Sequence, residues 1–112
     1  MRFTQTLTAD GNSNIIRLDH MINPFNVAVF VDASGGGSGT DKVQVSGSDP
    51  LAATDTAGTG MAWWDHATLT GLSAGGVGNI AFPVTAVRLV RSSTSGSRTS
   101  VMTVIQAGPL GR

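Results

Sequence analysis

The stretch GNIAFPVTAVRLVRSSTSGSRTSVMTVIQAG, residues 78 to 108, decides how this chain is read. Two apolar runs flank a Ser/Gly turn, and Pro83 interrupts the first of them. By period two, Ile80, Phe82 and Val84 share one face of a strand, whereas Val87 and Leu89 lie on the other, with Arg88 and Arg91 out of phase between them. The apolar face therefore switches near Thr85. Proline has no N–H to give to a ladder, so Pro83 marks an edge or a bulge that bends the strand or passes it to a second sheet. A turn about Ser95 would pair Leu89 with Val101 on one face and Arg88 with Met102 on the other. Such a two-faced hairpin needs more than one sheet to cover it.

Composition points the same way. Charged residues make up 12% of the 112, with no Glu and one Lys, Lys42, so most of the usual solvated helix formers are missing. Fifteen glycines and short runs of Val, Ile and Ala among Ser and Thr suit pleated strands joined by tight turns. The fold class expected is all-β: a β-sandwich or jelly-roll-like single domain over residues 1–112, with about seven to eight strands. A chain this long can bury roughly 60–70% of its unfolded surface, enough for one core.

Outside the opening stretch, Asp10-Gly11 marks a turn between strands at 2–8 and 14–18, with Phe3, Leu7, Ile16 and Leu18 inward. The segment 1–14 could also extend onto a neighbour. NVAVFVD (26–32) places valines on one face and Ala28 and Phe30 on the other, so both faces are expected to be covered, one of them by another subunit if not by this chain. ASGGGSGT (33–40) reads as a flexible connection, and DKVQVSGS after it puts Val43 and Val45 in, Lys42 and Gln44 out. Asp49 and Pro50 can cap one helical turn at the head of a long surface loop. MAWWDHATLTGL (61–72) reads as a strand and SAGGVGN (73–79) as a loop.

Several function classes lose support. Net charge is zero and the six Arg are dispersed, so no row of phosphates would be neutralised and no nucleic-acid partner is expected. No run approaches the roughly 18 apolar residues of a membrane span, and MRFTQTLTADGNSN lacks a signal-peptide apolar region, so a cytosolic, unsecreted product is expected. Cysteine is absent, which removes disulfides and thiolate metal sites. GLSAG (71–75) matches a nucleophile elbow, but GVGN follows it and both His20 and His66 precede it, so a hydrolase using Ser73 ranks last. DGNSN (10–14) lacks the Gly and Glu of a calcium loop, and Asp19-His20 and Asp65-His66 lack a third ligand at a telling spacing. The GGGSG loop lacks the ending of a phosphate cradle. No catalytic residue, metal or cofactor is expected. Trp63-Trp64 offers more: in a strand one indole fills the core while its neighbour faces out, as at protein interfaces or sugar-stacking platforms.

VQVSGSDPLAATDTAGTGMAWWDHATLTGL and the opening stretch, from roughly residue 45 to 107, resemble small structural proteins of tailed bacteriophages. The carriers are VSGS, the Trp-containing WWDHATLT, PVTAVRL and SVMTVIQAG. The segment that usually reads GSLDG-x-x-W is spread out here as GSDPLAATDTAGTGMAWW. The resemblance implies a capsid decoration, or cement, protein: a β-sandwich made in the host bacterial cytoplasm, trimeric on the capsid surface, clamping neighbouring major capsid protein subunits. Phe25, Phe30, Trp63 or Trp64, Met102 and Val104 are the expected contributors to subunit contacts, with Arg88 and Arg91 as polar rim. The rival is a receptor- or glycan-binding module of a phage head or tail fibre, in which Trp63 or Trp64 with Asp65 would stack and hydrogen-bond a sugar.

Overall fold

A computed structural model describes residues 1–22 and 25–106, so Ala107 and Gly108 of the phage-like stretch lie outside the described residues. The strands are β1 (Arg2–Leu7), β2 (Gly11–Asn12), β3 (Ile16–Arg17), β4 (Val27–Ser34), β5 (Ser38–Ser46), β6 (Trp64–Asp65), β7 (Gly75–Ile80), β8 (Ala86–Ser95) and β9 (Thr99–Gln106). One sheet has the order β1-β9-β4-β7 and the other β2-β8-β5-β6, with β3 also on β8. All pairs are antiparallel. The strands of each sheet are thus gathered from both ends of the chain, as in a jelly roll, with β2 and β3 sharing one position.

The organising unit is a long two-stranded ribbon. β4 pairs with β9 from Val27↔Gln106 to Ser34↔Thr99, and β5 pairs with β8 from Ser38↔Ser95 to Ser46↔Ala86. Between these halves both strands cross from one sheet to the other, through residues 35–37 and 96–98. The crossings lie against each other. Gly37 has φ +102°, and a Cβ there would overlap the Ser95 carbonyl; one on Gly96 would meet Gly37 Cα at 2.8 Å. Only glycine allows that approach.

The expected β8–β9 hairpin is therefore corrected. Leu89 pairs with Val43, and Val101 with Asp32 and Thr6. β8 buries Val87, Leu89 and Arg91, while β9 buries Ser100, Met102, Val104 and Gln106, so the two strands face each other across the core instead of sharing a ladder. Pro83 lies in the link between β7 and β8, and the chain does change sheets there.

Three further expectations change. The SAGGVGN segment contributes β7, because Leu69 and Leu72 fill the space its glycines leave; a Cβ on Gly78 would sit 3.0 Å from Leu69 Cδ1. MAWWDHATLTGL supplies only two strand residues. Residues 1–14 are integrated, β1 pairing along its whole length with β9 and β2 with β8. On the outward face of β4, Phe30 is left exposed among the described residues. Among the described residues no helix is long and apolar enough to cross a membrane.

The core joins Val27, Val29, Val31, Ile80, Met102 and Val104 of one sheet to Ile16, Val43, Val45, Val87 and Leu89 of the other, with Leu18, Phe25, Leu69 and Val84 from the connections. At the crossing end it turns polar. Arg98 donates to Asp41 Oδ2 at 2.8 Å, to Ser100 Oγ and to the Ser73 carbonyl; both charged side chains are buried. Asp41 Oδ1 makes no hydrogen bond among the described residues. Arg91, also buried, donates to the Leu7 carbonyl and Thr94 Oγ1. Removing one partner of a buried pair leaves an uncompensated charge. Arg98→Met should therefore cost about 3–5 kcal/mol in denaturant unfolding, and Asp41→Leu/Arg98→Met distinctly less. A double variant as damaged as the sum of its singles would deny the pair its role.

Candidate functional site

The two tryptophans part company at β6. Trp64 pairs with Val45 and so points to the core side of its sheet, but it stands on the edge strand, where no other strand among the described residues covers it, and is 60% exposed. Trp63 lies half-buried: its Nε1–H donates to the Gly58 carbonyl, and the Arg88 guanidinium sits 4.3 Å from its ring centroid. Arg88 also donates to Gln44 Oε1 and the Ala57 carbonyl, which pins the loop after β5 to the sheet. Burial lowers the Arg88 pKa, and the negative charge of Asp55 works against that shift.

The loop braces itself as well. Asp55 Oδ1 accepts from the N–H groups of Ala57 and Thr59, and Oδ2 from Thr59 Oγ1 at 2.7 Å. These bonds, the Thr59 hydroxyl first, hold its pKa below the ordinary 3.8. Asp49 caps a single 3-10 turn, Pro50–Ala52, by accepting from Leu51 N–H, as its sequence suggested.

After β6 the chain is turned by His66, which is buried. Its Nδ1 accepts from the N–H groups of Thr68 and Leu69 at 3.1 and 3.2 Å, and Nε2 donates to the Asn79 carbonyl on β7 at 2.9 Å. The imidazole thus spans the open side of the sandwich, from the edge of one sheet to the edge of the other, in the tautomer protonated on Nε2. Asp65, on the outer face, accepts from Gln44 Nε2 at 2.9 Å and lies 3.2 Å from Lys42 Nζ. The Gln44 bond, then Lys42, lowers its pKa.

Beside His66 opens a groove of about 600 Å³, at the end of the sandwich away from the crossings. Trp64 and Phe82 are its two exposed aromatic members, Phe82 being 59% exposed. Pro83, Val84, Val45 and His66 also line it, with Asp65, Thr68 and Asn79 as polar members. Its volume is that of an ordinary small-ligand or side-chain pocket. Sequence reasoning missed Phe82 by placing it with Ile80 and Val84; those two are buried, but Phe82 falls in the link after β7. Pro83 was the available signal that the strand ends there.

The other expected interface residues divide. Phe30 is exposed on the outer face of β4. Phe25, Met102 and Val104 are core residues and Arg91 is a buried structural cation, so none of these four is offered to a partner. Arg91, Met102 and Val104 lie on the inward side of their strands, a side that alternation alone leaves ambiguous, and Phe25 is buried just ahead of β4. The Ser73 of GLSAG is followed by a strand, not a helix, and its carbonyl is taken by Arg98. Among the described residues no three His, Asp or Glu side chains cluster as metal ligands would.

No family model matches the chain, and no curated protein matches it. Among solved structures, it is similar to that of IMPa from Pseudomonas aeruginosa in complex with an O-glycopeptide, at 15% identity and a TM-score of 0.41. The match covers 96% of this chain and 12% of that one. A likeness at this level bears on no functional conclusion.

Two outcomes test the site's construction. His66→Ala should lower stability by about 2–4 kcal/mol in denaturant unfolding, because backbone N–H and C=O groups lose their partner. For Asp55, a depressed folded pKa means its contribution is present above 3.8 and is lost as pH falls through the lower folded value. In Trp64→Phe, the remaining Trp63 emission should therefore shift to the red in that acid range, and adding Asp55→Asn should produce the shift already at neutral pH.

Proposed function

We propose that this chain is a non-enzymatic structural protein of a phage virion, a decoration protein that binds between major capsid protein subunits on the head surface. The observation that carries this reading is the groove. Two largely exposed aromatics stand at a preformed pocket whose frame is locked by His66, the arrangement in which a few anchors supply most of an interface's binding energy. The phage-like motifs VSGS, WWDHATLT and PVTAVRL support the assignment, since the first leads out of β5, the second supplies Trp64 and His66, and the third supplies Pro83 and Val84 of the same groove. The jelly roll, an architecture used by capsid and lectin domains, accords with it. Repetition of a modest contact over a lattice would stabilise the shell cumulatively.

A second reading draws on the same place. Trp64 offers the groove a ring face for stacking, as the glycan-binding alternative requires, with Thr68 and Asn79 as the polar members beside it, while the Asp65 carboxylate is turned to the outer face toward Gln44 and Lys42. Co-sedimentation with empty heads of the encoding phage separates the two. Saturable binding that weakens at least about 100-fold in Trp64→Ala/Phe82→Ala supports decoration. Absence of binding, with Trp64 fluorescence shifting on addition of host polysaccharide, moves the glycan module to the front.

A further inference from the structure

The outer face of the β1-β9-β4-β7 sheet is a second exposed surface, on the opposite sheet from Trp64. The ladder puts Phe30, Thr103 and Val77 side by side across its middle, with Ile105 and Val101 two residues to either side of Thr103 on β9. Val77 is 69% exposed, and Phe30 and Ile105 are each 40% exposed. The register places two charged side chains on this face among the described residues. Arg2 is at one corner, opposite Ile105, and Asp32 is toward the other end, opposite Val101. Neither forms an ion pair among the described residues.

We infer that this face is where two copies of the chain meet about a two-fold axis. The charges have opposite sign and lie on either side of Thr103, each one strand and two residues away along the ladder. A two-fold axis in the plane of the face, through Thr103 and perpendicular to the Arg2–Asp32 line, exchanges them. Each Arg2 then faces the partner's Asp32, and Phe30 comes over the partner's Ile105. Such a patch is self-complementary, as an isologous interface must be. The strands of the two copies would cross steeply, in the orthogonal class of sheet packing. Four strands about 4.8 Å apart and six residues of about 3.3 Å give roughly 400 Å² per copy. That is below the usual size of a stable interface, so the pair is concentration-dependent. The cyclic trimer implied by the phage resemblance would need a different, heterologous contact. This interface does not depend on what the groove holds.

Light scattering and sedimentation equilibrium of the full chain, from about 10 µM to 1 mM, test it. The mass should rise from monomer toward dimer. Arg2→Asp or Asp32→Arg alone should weaken association at least tenfold by setting like charges opposite each other at both ends, and Arg2→Asp/Asp32→Arg together should restore it. Val77→Lys should give monomer, while Trp64→Ala/Phe82→Ala should leave the dimer unchanged. All the altered side chains are exposed, so a native circular dichroism spectrum is expected in each. A monomer throughout, a trimer, or a dimer indifferent to the charge reversals would overturn the proposal.

Discussion

The sandwich depends on the place where its ribbon changes sheets, and there the ion pair of Arg98 and Asp41 is the fastening. Arg98 belongs to one crossing, Asp41 to the strand that leaves the other, Ser100 to the opposite sheet, and Ser73 to the loop before β7. One guanidinium therefore ties its own segment to two others distant in sequence, three pieces of chain in all, which its planar fork of donors suits. Hydrophobic burial holds the two sheets face to face but says little about where a strand should leave one for the other. A buried charge that must be paired specifies that point, because a crossing misplaced by even one residue would strand it.

Much of this was legible in the chain. Low charge, abundant Gly, Ser and Thr, and period-two valines implied an all-β sandwich, and the inward positions Ile16, Leu18, Val43 and Val45 followed from the strand pattern. What could not be read was which inward faces share a sheet. Leu89 beside Val101 in a ladder and Leu89 across the core from β9 require the same pattern, and the buried Arg98 that decides between them looks like a turn residue in sequence. β7 was hidden for another reason: of its three core-facing positions only Ile80 is apolar, the other two being Gly76 and Gly78, and the volume they lack comes from Leu69 and Leu72 a few residues earlier. A strand most of whose core side chains are supplied by its neighbours carries too little alternation to be seen.

The candidate site shows the same division. Adjacent Trp63 and Trp64 had to face opposite ways, but their fates are set at long range. Trp63 is covered because Arg88, on β8, reaches over it and holds the loop carrying Gly58. Trp64 is bare because β6 is only two residues long and, among the described residues, no further strand lies beyond it. His66 read as an ordinary hydrogen-bonded residue, and it is one. Its consequence lies in what it connects, since the Asn79 carbonyl belongs to the other sheet.

The two ends of the sandwich consequently differ in kind. At the crossing end, buried charges are paired with the chain's own groups, and glycines bring backbone against backbone. At the far end, β6 and β7 are both outermost strands, and a single imidazole bridges between them while Trp64 and Phe82 remain in water. Exposed aromatics have a hydration cost that the chain could have avoided with a longer β6 or a polar residue in place of Phe82. Rigidity at one end and apolar exposure at the other are what the proposed binding role would use: with the frame already ordered, little of the binding energy would be spent on ordering it.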